Sequence, residues 1–236
     1  MTVTYLNHSG FFVELDTVCL LFDYWQGRLP EPVAGKTLLV FASHFHHDHY
    51  NEEIFAYAAC WGNARVILGN DIRLTEKRRT RLGITEADFR CLGPDEDERF
   101  CGARVRTLRS TDSGVAFLVD ADGRTIYHAG DLNWWVWEGE PEADNAAMTE
   151  AFLSEVKKLE GIPIDLAFLT LDARQEADAY RGFDHCLRTL DIKKAVPMHS
   201  FGKYEVHNAL LASPISLPYR EKVLLITEAG QTIAIP

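Results

Sequence analysis

The segment Ser43-His44-Phe45-His46-His47-Asp48-His49 constrains this chain more than any other. It closes an apolar run, Thr37–Ser43, that reads as a β-strand, so its side chains gather where the backbone leaves a sheet. Imidazoles and a carboxylate crowded into six residues are hard to explain as packing, because burying so many polar groups without partners is costly. Neutral imidazole nitrogen and carboxylate oxygen are the donors that zinc and similar divalent ions take. The chain therefore has to fold so that one sheet edge supports a cluster of candidate ligands: His44, His46, Asp48 and His49.

The remaining pattern supplies the sheets. Short β-type runs at Val3–Leu6, Phe11–Leu15, Val18–Asp23 and Thr37–Ser43 are separated by turn-forming Gly, Asp, Asn and Pro. Asn51–Cys60 has helical spacing, Arg65–Leu68 reads as a strand, and the charged stretch Asp71–Arg81 reads as a solvated helix or loop. A second β-rich half follows at Arg104–Leu108, Gly114–Asp120 and Arg124–His128, the last two joined by the hairpin signal Asp122-Gly123. Beyond it lie a helical period over Met148–Leu159, an apolar strand Ile164–Leu171, a helix near Phe183–Leu190 and a strand Ala195–Met198. Lys222–Thr227 and Gln231–Ile235 predict a terminal hairpin. Two strand-rich halves, each finished by helices, predict an α/β (α+β) fold of two sheets packed face to face with helices outside, a four-layer αββα sandwich. No composition shift, linker or repeat divides the halves, so residues 1–236 read as one domain.

Charge narrows the partners. Asp and Glu number 35 against 24 Lys and Arg, and the net charge of -11 repels polyanions. Nucleic acid is a disfavoured partner and a small-molecule substrate the expected one. The only dense cationic run, Lys77-Arg78-Arg79-Thr80-Arg81, reads as a solvated helix face. The cysteines are scattered, odd in number and without CxxC spacing, so they read as free thiols. No apolar run reaches the ~18 residues of a membrane helix, and the first residues alternate like a strand rather than a targeting segment. The expected location is cytoplasmic with no membrane partner, and the oligomeric state is left open.

His44-Phe45-His46-His47-Asp48-His49 matches the HxHxDH signature and resembles the metallo-β-lactamase superfamily. Ile126-Tyr127-His128-Ala129-Gly130-Asp131 resembles that family's strand ending in a GD pair, and Val196-Pro197-Met198-His199 the late strand that delivers a final histidine. The resemblance implies the sandwich fold, a metal-dependent hydrolase, and two metal sites. His44 and His46 would serve site one, Asp48, His49 and His199 site two, and Asp131 would bridge both. A bridging carboxylate offsets repulsion between adjacent cations, and Gly130 removes a side chain where the backbone approaches them. His8-Ser9-Gly10, followed by a strand ending at Asp23, is similar to the opening of the UlaG-like, lactonase-related branch. His8 and Asp23 are thereby candidates for partners that orient ligand imidazoles. Asp23 also reads as a turn residue, and His128 as either a hydrogen-bonding neighbour of the site or a buried structural histidine.

One departure stands out. The family normally supplies another site-one histidine shortly before the GD strand, and Leu108-Arg109-Ser110-Thr111-Asp112-Ser113-Gly114 contains none. Water or Asp112 completes site one, a single metal suffices, or binding survives without catalysis. An open site of three protein ligands is favoured, since an open position lets a metal activate water. Asp112 otherwise reads as a turn residue at the substrate pocket. Trp134, Trp135 and Trp137 read either as an apolar pocket wall or as anchors of the acidic loop Glu138–Asn145. Asp172 and Arg174 end a strand on the same edge, and an ion pair between them is favoured over a substrate-binding Arg174. His185 and His207 read as surface or local contacts.

The expected reaction is hydrolysis of an ester, lactone, amide or phosphoester of a small molecule by a metal-activated water, with Asp48 orienting the water or passing a proton. The expected cofactor is Zn2+, one or two ions, with Mn2+ or Fe2+ as alternatives. Two other readings stand beside it. A nuclease or phosphodiesterase of the same superfamily needs a basic surface. A non-catalytic metal-binding scaffold or sensor is favoured by the missing histidine and opposed by retention of both Asp48 and Asp131.

Overall fold

Along Thr37–Ala42 (β4), Leu39 and Phe41 enter one apolar core while Leu38, Val40 and Ala42 enter another. A strand buried on both faces belongs between two covering layers. The computed structural model, which describes all 236 residues, places it so. Its neighbours are β1 (Thr2–Asn7), β2 (Gly10–Glu14), β3 (Val18–Phe22), β5 (Ala64–Gly69), β6 (Phe89–Leu92) and a short β13 (Thr232–Ala234). They form a seven-stranded sheet ordered β13-β1-β2-β3-β4-β5-β6. The second sheet contains β7 (Asp97–Phe100), β8 (Ala103–Arg109), β9 (Val115–Ala121), β10 (Arg124–His128), β11 (Ile164–Thr170) and β12 (Ile192–Met198), ordered β12-β11-β10-β9-β8-β7.

The two sheets meet through aromatic rings. Phe11 stacks on Phe168 with centroids 4.1 Å apart, and Phe41 meets Phe117 at 5.1 Å. The outer face of the first sheet is covered by α1 (Glu53–Ala59), which buries Ile54, Phe55 and Ala58. Helices α3 (Glu142–Lys157), α4 (Arg181–Thr189) and α5 (Glu205–Ala212) add Phe152, Phe183 and Leu210 to the core of the second. Helix α2 (Glu76–Leu82) buries no residue; Thr75 caps its start and Gly83 ends it in a left-handed conformation. The architecture is the expected αββα sandwich. No helix is long and apolar enough to cross a membrane.

Strand direction decides where the functional residues collect. In the first sheet β1, β2 and β3 alternate in direction, while β3, β4 and β5 run parallel. In the second, β8, β9 and β10 alternate, while β10, β11 and β12 run parallel. The C-terminal ends of β1, β3, β4 and β5 therefore share one edge of their sheet, as do those of β8, β10, β11 and β12 in the other. His8, Asp23, the 43–49 segment, the 110–114 loop, Asp131, Asp172 and His199 all follow these ends. The halves thus repeat one topology although no sequence repeat accompanies it.

Several boundaries differ from expectation. Strands β6 and β7 were not expected, because they are short sheet-edge segments whose polar residues mask the alternation. Helix α3 starts at Glu142 rather than Met148, its first turn acidic as suits a helix N-terminus. The predicted terminal hairpin does not form, since each of its strands finds a different open edge. Thr232–Ala234 pairs antiparallel with β1, whereas Leu224 N–H donates to the Ala195 carbonyl on β12. His207 is buried beside Tyr204 on α5, a helix the sequence reading missed, rather than lying on the surface.

The sheets are joined where β4 ends. Val115 N–H, at the start of β9, donates to the Ser43 carbonyl oxygen at 3.1 Å. A Cβ at Gly114 would lie 2.0 Å from that oxygen, and one at Gly69 2.1 Å from it. Gly114 also has φ +65°, which disfavours any side chain. Gly114→Ala is expected to cost about 3 kcal/mol or more in chemical denaturation, combining strain with displaced backbone. Gly102→Ala, at φ +91° with open space around it, is expected to lose only about 1 kcal/mol. Equal losses for the two would show that the Ser43 approach is not the tight point.

Candidate metal centre

Hydrogen bonds behind the imidazoles assign which nitrogen faces the centre. Ser43 Oγ donates to Asp23 Oδ2 at 2.6 Å and is left to accept from His44 Nδ1 at 2.9 Å. His49 Nδ1 donates to Asp23 Oδ2 at 2.7 Å, and His199 Nδ1 to Asp172 Oδ2 at 2.9 Å. In the neutral rings the three Nε2 atoms therefore carry the lone pairs, and all point at one carboxylate. Asp131 Oδ2 lies 3.5 Å from His44 Nε2; Asp131 Oδ1 lies 3.2 Å from His49 Nε2 and 3.3 Å from His199 Nε2. His46 Nδ1 approaches His44 Nε2 at 3.0 Å.

Two groups of candidate ligands result, His44–His46–Asp131 and His8–Asp48–His49–His199, each with its donor atoms mutually within 4.8 Å. Buried His49 Nε2 and Asp131 Oδ1 lack any hydrogen-bond partner, as do both ring nitrogens of His8. Orphaned buried polar atoms are costly, and converging ones that carry lone pairs fit a cation. The structure puts His8 not behind a ligand imidazole, as the sequence suggested, but beside Asp48, with Nε2 3.3 Å from Oδ2. His47 is exposed and belongs to neither group.

The charges follow from burial and proximity. Burial lowers the pKa of His8 and of His44 to about 4. Burial would lower His49 as well, but Asp131 and Asp23 raise it to about 9. Burial would raise Asp23, and the His128, His49 and His44 rings bring it down to about 2. Asp131 is likewise held below the usual carboxylate range by His49, His199 and His44 against the effect of its burial.

Three residues of the centre sit at positive φ: His8 at 52°, Asp23 at 41° and His199 at 67°. Such strain, about 1–3 kcal/mol for each residue, persists only where the surroundings enforce it and is concentrated at functional sites. His128 stays outside the cluster. Its Nε2 donates to the Ser9 carbonyl at 2.9 Å while Nδ1 accepts from Gly130 N–H at 3.2 Å, so the ring braces the Gly130-Asp131 turn.

A cleft of about 340 Å3 opens onto Asp131, His46, Asp48 and His199. Trp135 and Trp137 form its apolar wall with Met148, their rings parallel at 5.8 Å. Trp135 also donates Nε1–H to the Asp131 carbonyl at 2.9 Å. Trp134 is not part of the wall; it stacks on Phe152 and donates to Thr149, anchoring α3. The Asp172–Arg174 pair is formed, and Asp172 lies behind His199 while Arg174 lines the cleft. Asp112 also lines it, half-exposed, with Oδ2 3.9 Å from His46 Nδ1. Burial and Asp131 both raise its pKa. Sequence reasoning missed Ser43 and Thr111. The signal for Ser43 was a hydroxyl directly before the first ligand at a strand end. Thr111 Oγ1 donates to the Asn133 carbonyl at 2.6 Å and accepts from its N–H at 3.0 Å, so it ties the loop after β8 to the loop after β10.

Known proteins are similar to this chain in sequence and in fold. A family model described as "Beta-lactamase superfamily domain" matches residues 2–142, more than half of the chain. A UPF0173 metal-dependent hydrolase of Opitutus terrae is 29% identical over 153 residues, covering 56% of this chain and 63% of that protein, less than two thirds of its length. Another of that name, from Cereibacter sphaeroides, is 25% identical over 221 residues, 84% of this chain and 85% of that protein. The solved structure of Igni18, a metallo hydrolase from the archaeon Ignicoccus hospitalis, superposes with a TM-score of 0.64 at 18% identity, covering 98% and 97% of the two chains, and so shares the fold. With the sandwich, the HxHxDH loop and the GD turn in place, the chain belongs to the metallo-β-lactamase superfamily of metallo-hydrolases.

Proposed function

We propose that the cluster holds two divalent ions and that the protein hydrolyses an ester, lactone, amide or phosphoester of a small molecule. The observation that carries this reading is buried Asp131, whose two oxygens face different imidazoles, Oδ2 that of His44 and Oδ1 those of His49 and His199. His44, His46 and Asp131 would hold one ion; Asp48, His49, His199 and Asp131, with His8, the other. All the donors are nitrogen or oxygen, which suits Zn2+, Mn2+ or Fe2+. Bound there, such an ion supplies Lewis acidity and a water acidified toward neutrality.

The chain's own groups do the rest. Asp23 and Asp172 fix the orientation of His49 and His199. Asp48 stands at the cleft floor, where its carboxylate orients the attacking water or passes a proton to the leaving group. Trp135 and Trp137 offer a flat apolar face to the substrate's carbon skeleton. The size of the cleft favours a small molecule over a polymer. The cationic run on α2 also gives a nuclease little support, since Arg78 and Arg81 are held by Glu52 and Arg79 lies 3.3 Å from Glu86. The names of the two sequence relatives point to hydrolysis as well.

Asp131→Ala is expected to lose both ions in elemental analysis and to lower hydrolysis of lactone, ester and phosphodiester probes by more than the ~10–100-fold typical of residues that only orient ligands. A variant with the parent's metal content would remove the bridging role. Stoichiometric metal in the parent without turnover of any probe class would favour the scaffold reading instead.

Metal uptake has to displace the proton on His49, whose pKa of about 9 in the metal-free fold lies above its ordinary 6.5. Ion affinity is therefore expected to tighten by about tenfold per pH unit between pH 6.5 and 9. Over the same window the metal-free fold loses the stability that protonated His49 contributes, which is fully present below pH 6.5 and gone above about 9. Below pH 6.5 the depressed His8 and His44 work in the opposite sense, because the unfolded chain takes up protons that the fold refuses. Metal titrations and denaturation series across this range check both signs; pH-independent affinity would contradict the assignment.

A further inference from the structure

We propose that Asp112 is a direct ligand of the ion held by His44 and His46, completing a site of two imidazoles and two carboxylates. This rests on the two-ion reading of the cluster. His44 Nε2 lies 3.0 Å from His46 Nδ1 and 3.5 Å from Asp131 Oδ2, so these three residues would hold the ion, and His46 and Asp131 line the cleft. Asp112 lines the same cleft with Oδ2 3.9 Å from His46 Nδ1. Donor atoms about 2.0–2.2 Å from a shared ion lie roughly 3–3.5 Å apart, so Asp112, outside the 4.8 Å group in its present rotamer, would have to turn its half-exposed side chain inward to bind.

The carboxylate has nothing else to do. Its backbone N–H donates to Ser110 Oγ at 3.1 Å, but its side chain takes part in no hydrogen bond. The only Lys or Arg that lines the cleft, Arg174, is bound to Asp172. Asp112 and Asp131 thus lie on the same cleft with only imidazoles and no free Lys or Arg to offset their repulsion, an arrangement that a cation between them would relieve. The loop that carries Asp112 is also fixed in place: Thr111 is bonded to Asn133, and Gly114 is pressed against the Ser43 carbonyl.

The repeated topology points the same way. The turn between β1 and β2 brings His8 to the Asp48–His49–His199 group. The turn between β8 and β9, its counterpart in the other sheet, brings Asp112 beside His46 of the His44–His46–Asp131 group. Each half would then add one donor from its first turn. A two-imidazole, two-carboxylate set is harder than a three-imidazole one and shifts preference toward Fe2+ and Mn2+ relative to Zn2+.

The test is metal stoichiometry of the full chain and its Asp112→Ala and Asp112→His variants, each loaded with Mn2+ or Zn2+ and read by elemental analysis and competitive titration. The parent is expected to hold two ions and Asp112→Ala one, with its circular dichroism unchanged. Asp112→His is expected to regain the second ion and to raise the Zn2+-to-Mn2+ preference at least tenfold. Retention of both ions by Asp112→Ala at the parent's affinity, loss of both, or a parent that binds a single ion overturns the proposal. Failure of the underlying reading looks different: Asp131→Ala would then leave metal content unchanged.

Discussion

The fold and its centre depend on the grip of Asp23 on Ser43. One buried carboxylate takes the Ser43 N–H at 2.7 Å, its hydroxyl at 2.6 Å and the His49 ring at 2.7 Å. Charge-assisted hydrogen bonds of this kind are about twice as strong as neutral ones. Through them the end of β3 dictates how the chain leaves β4, and hence where the next six residues point. The same serine carbonyl reaches across to Val115, so a single residue couples ligand geometry to the contact between sheets. Glycines are required on either side because the approach is a backbone-to-backbone one.

Much of the centre was legible in the sequence because its chemistry is crowded into short segments. The 44–49 run, the Gly130-Asp131 pair and His199 each follow an apolar strand, and parallel strands deliver their ends to one edge. The sandwich was legible for a related reason, since central strands such as β4 and β9 are near-continuous apolar runs bounded by turn residues. What escaped detection lay at edges and in backbone conformation. Strands β6 and β7 are too polar to show a period, and α5 lacks a distinct N-terminal signal: Tyr204 stands at its start without a side-chain cap. The direct approach of His8 to Asp48 depends on a left-handed conformation at a turn, which residue type alone does not announce. The three tryptophans also divide their tasks in a way no linear pattern reveals, one anchoring α3 and two forming a wall.

Electrostatics unite these parts. The chain carries an acidic excess, and its centre adds buried carboxylates at Asp23, Asp131 and Asp172. Each stands against imidazole nitrogen, so burial and proximity act in opposite directions on the same atoms. The balance leaves His49 inclined to hold a proton and His8 and His44 inclined to refuse one. A site that is half protonated and half bare in this way is prepared to exchange protons for a dication with little rearrangement of its scaffold.

Asp172 accepts from both the His199 ring and the Arg174 guanidinium through one carboxylate. An anion that drew Arg174 toward the cleft mouth would leave more negative charge on the imidazole and make it a stronger electron donor. Thermodynamic linkage is reciprocal, so whatever holds His199 in turn changes how tightly Asp172 holds Arg174. Occupancy at the rim and the grip at the floor are thereby two readings of the same shared charge.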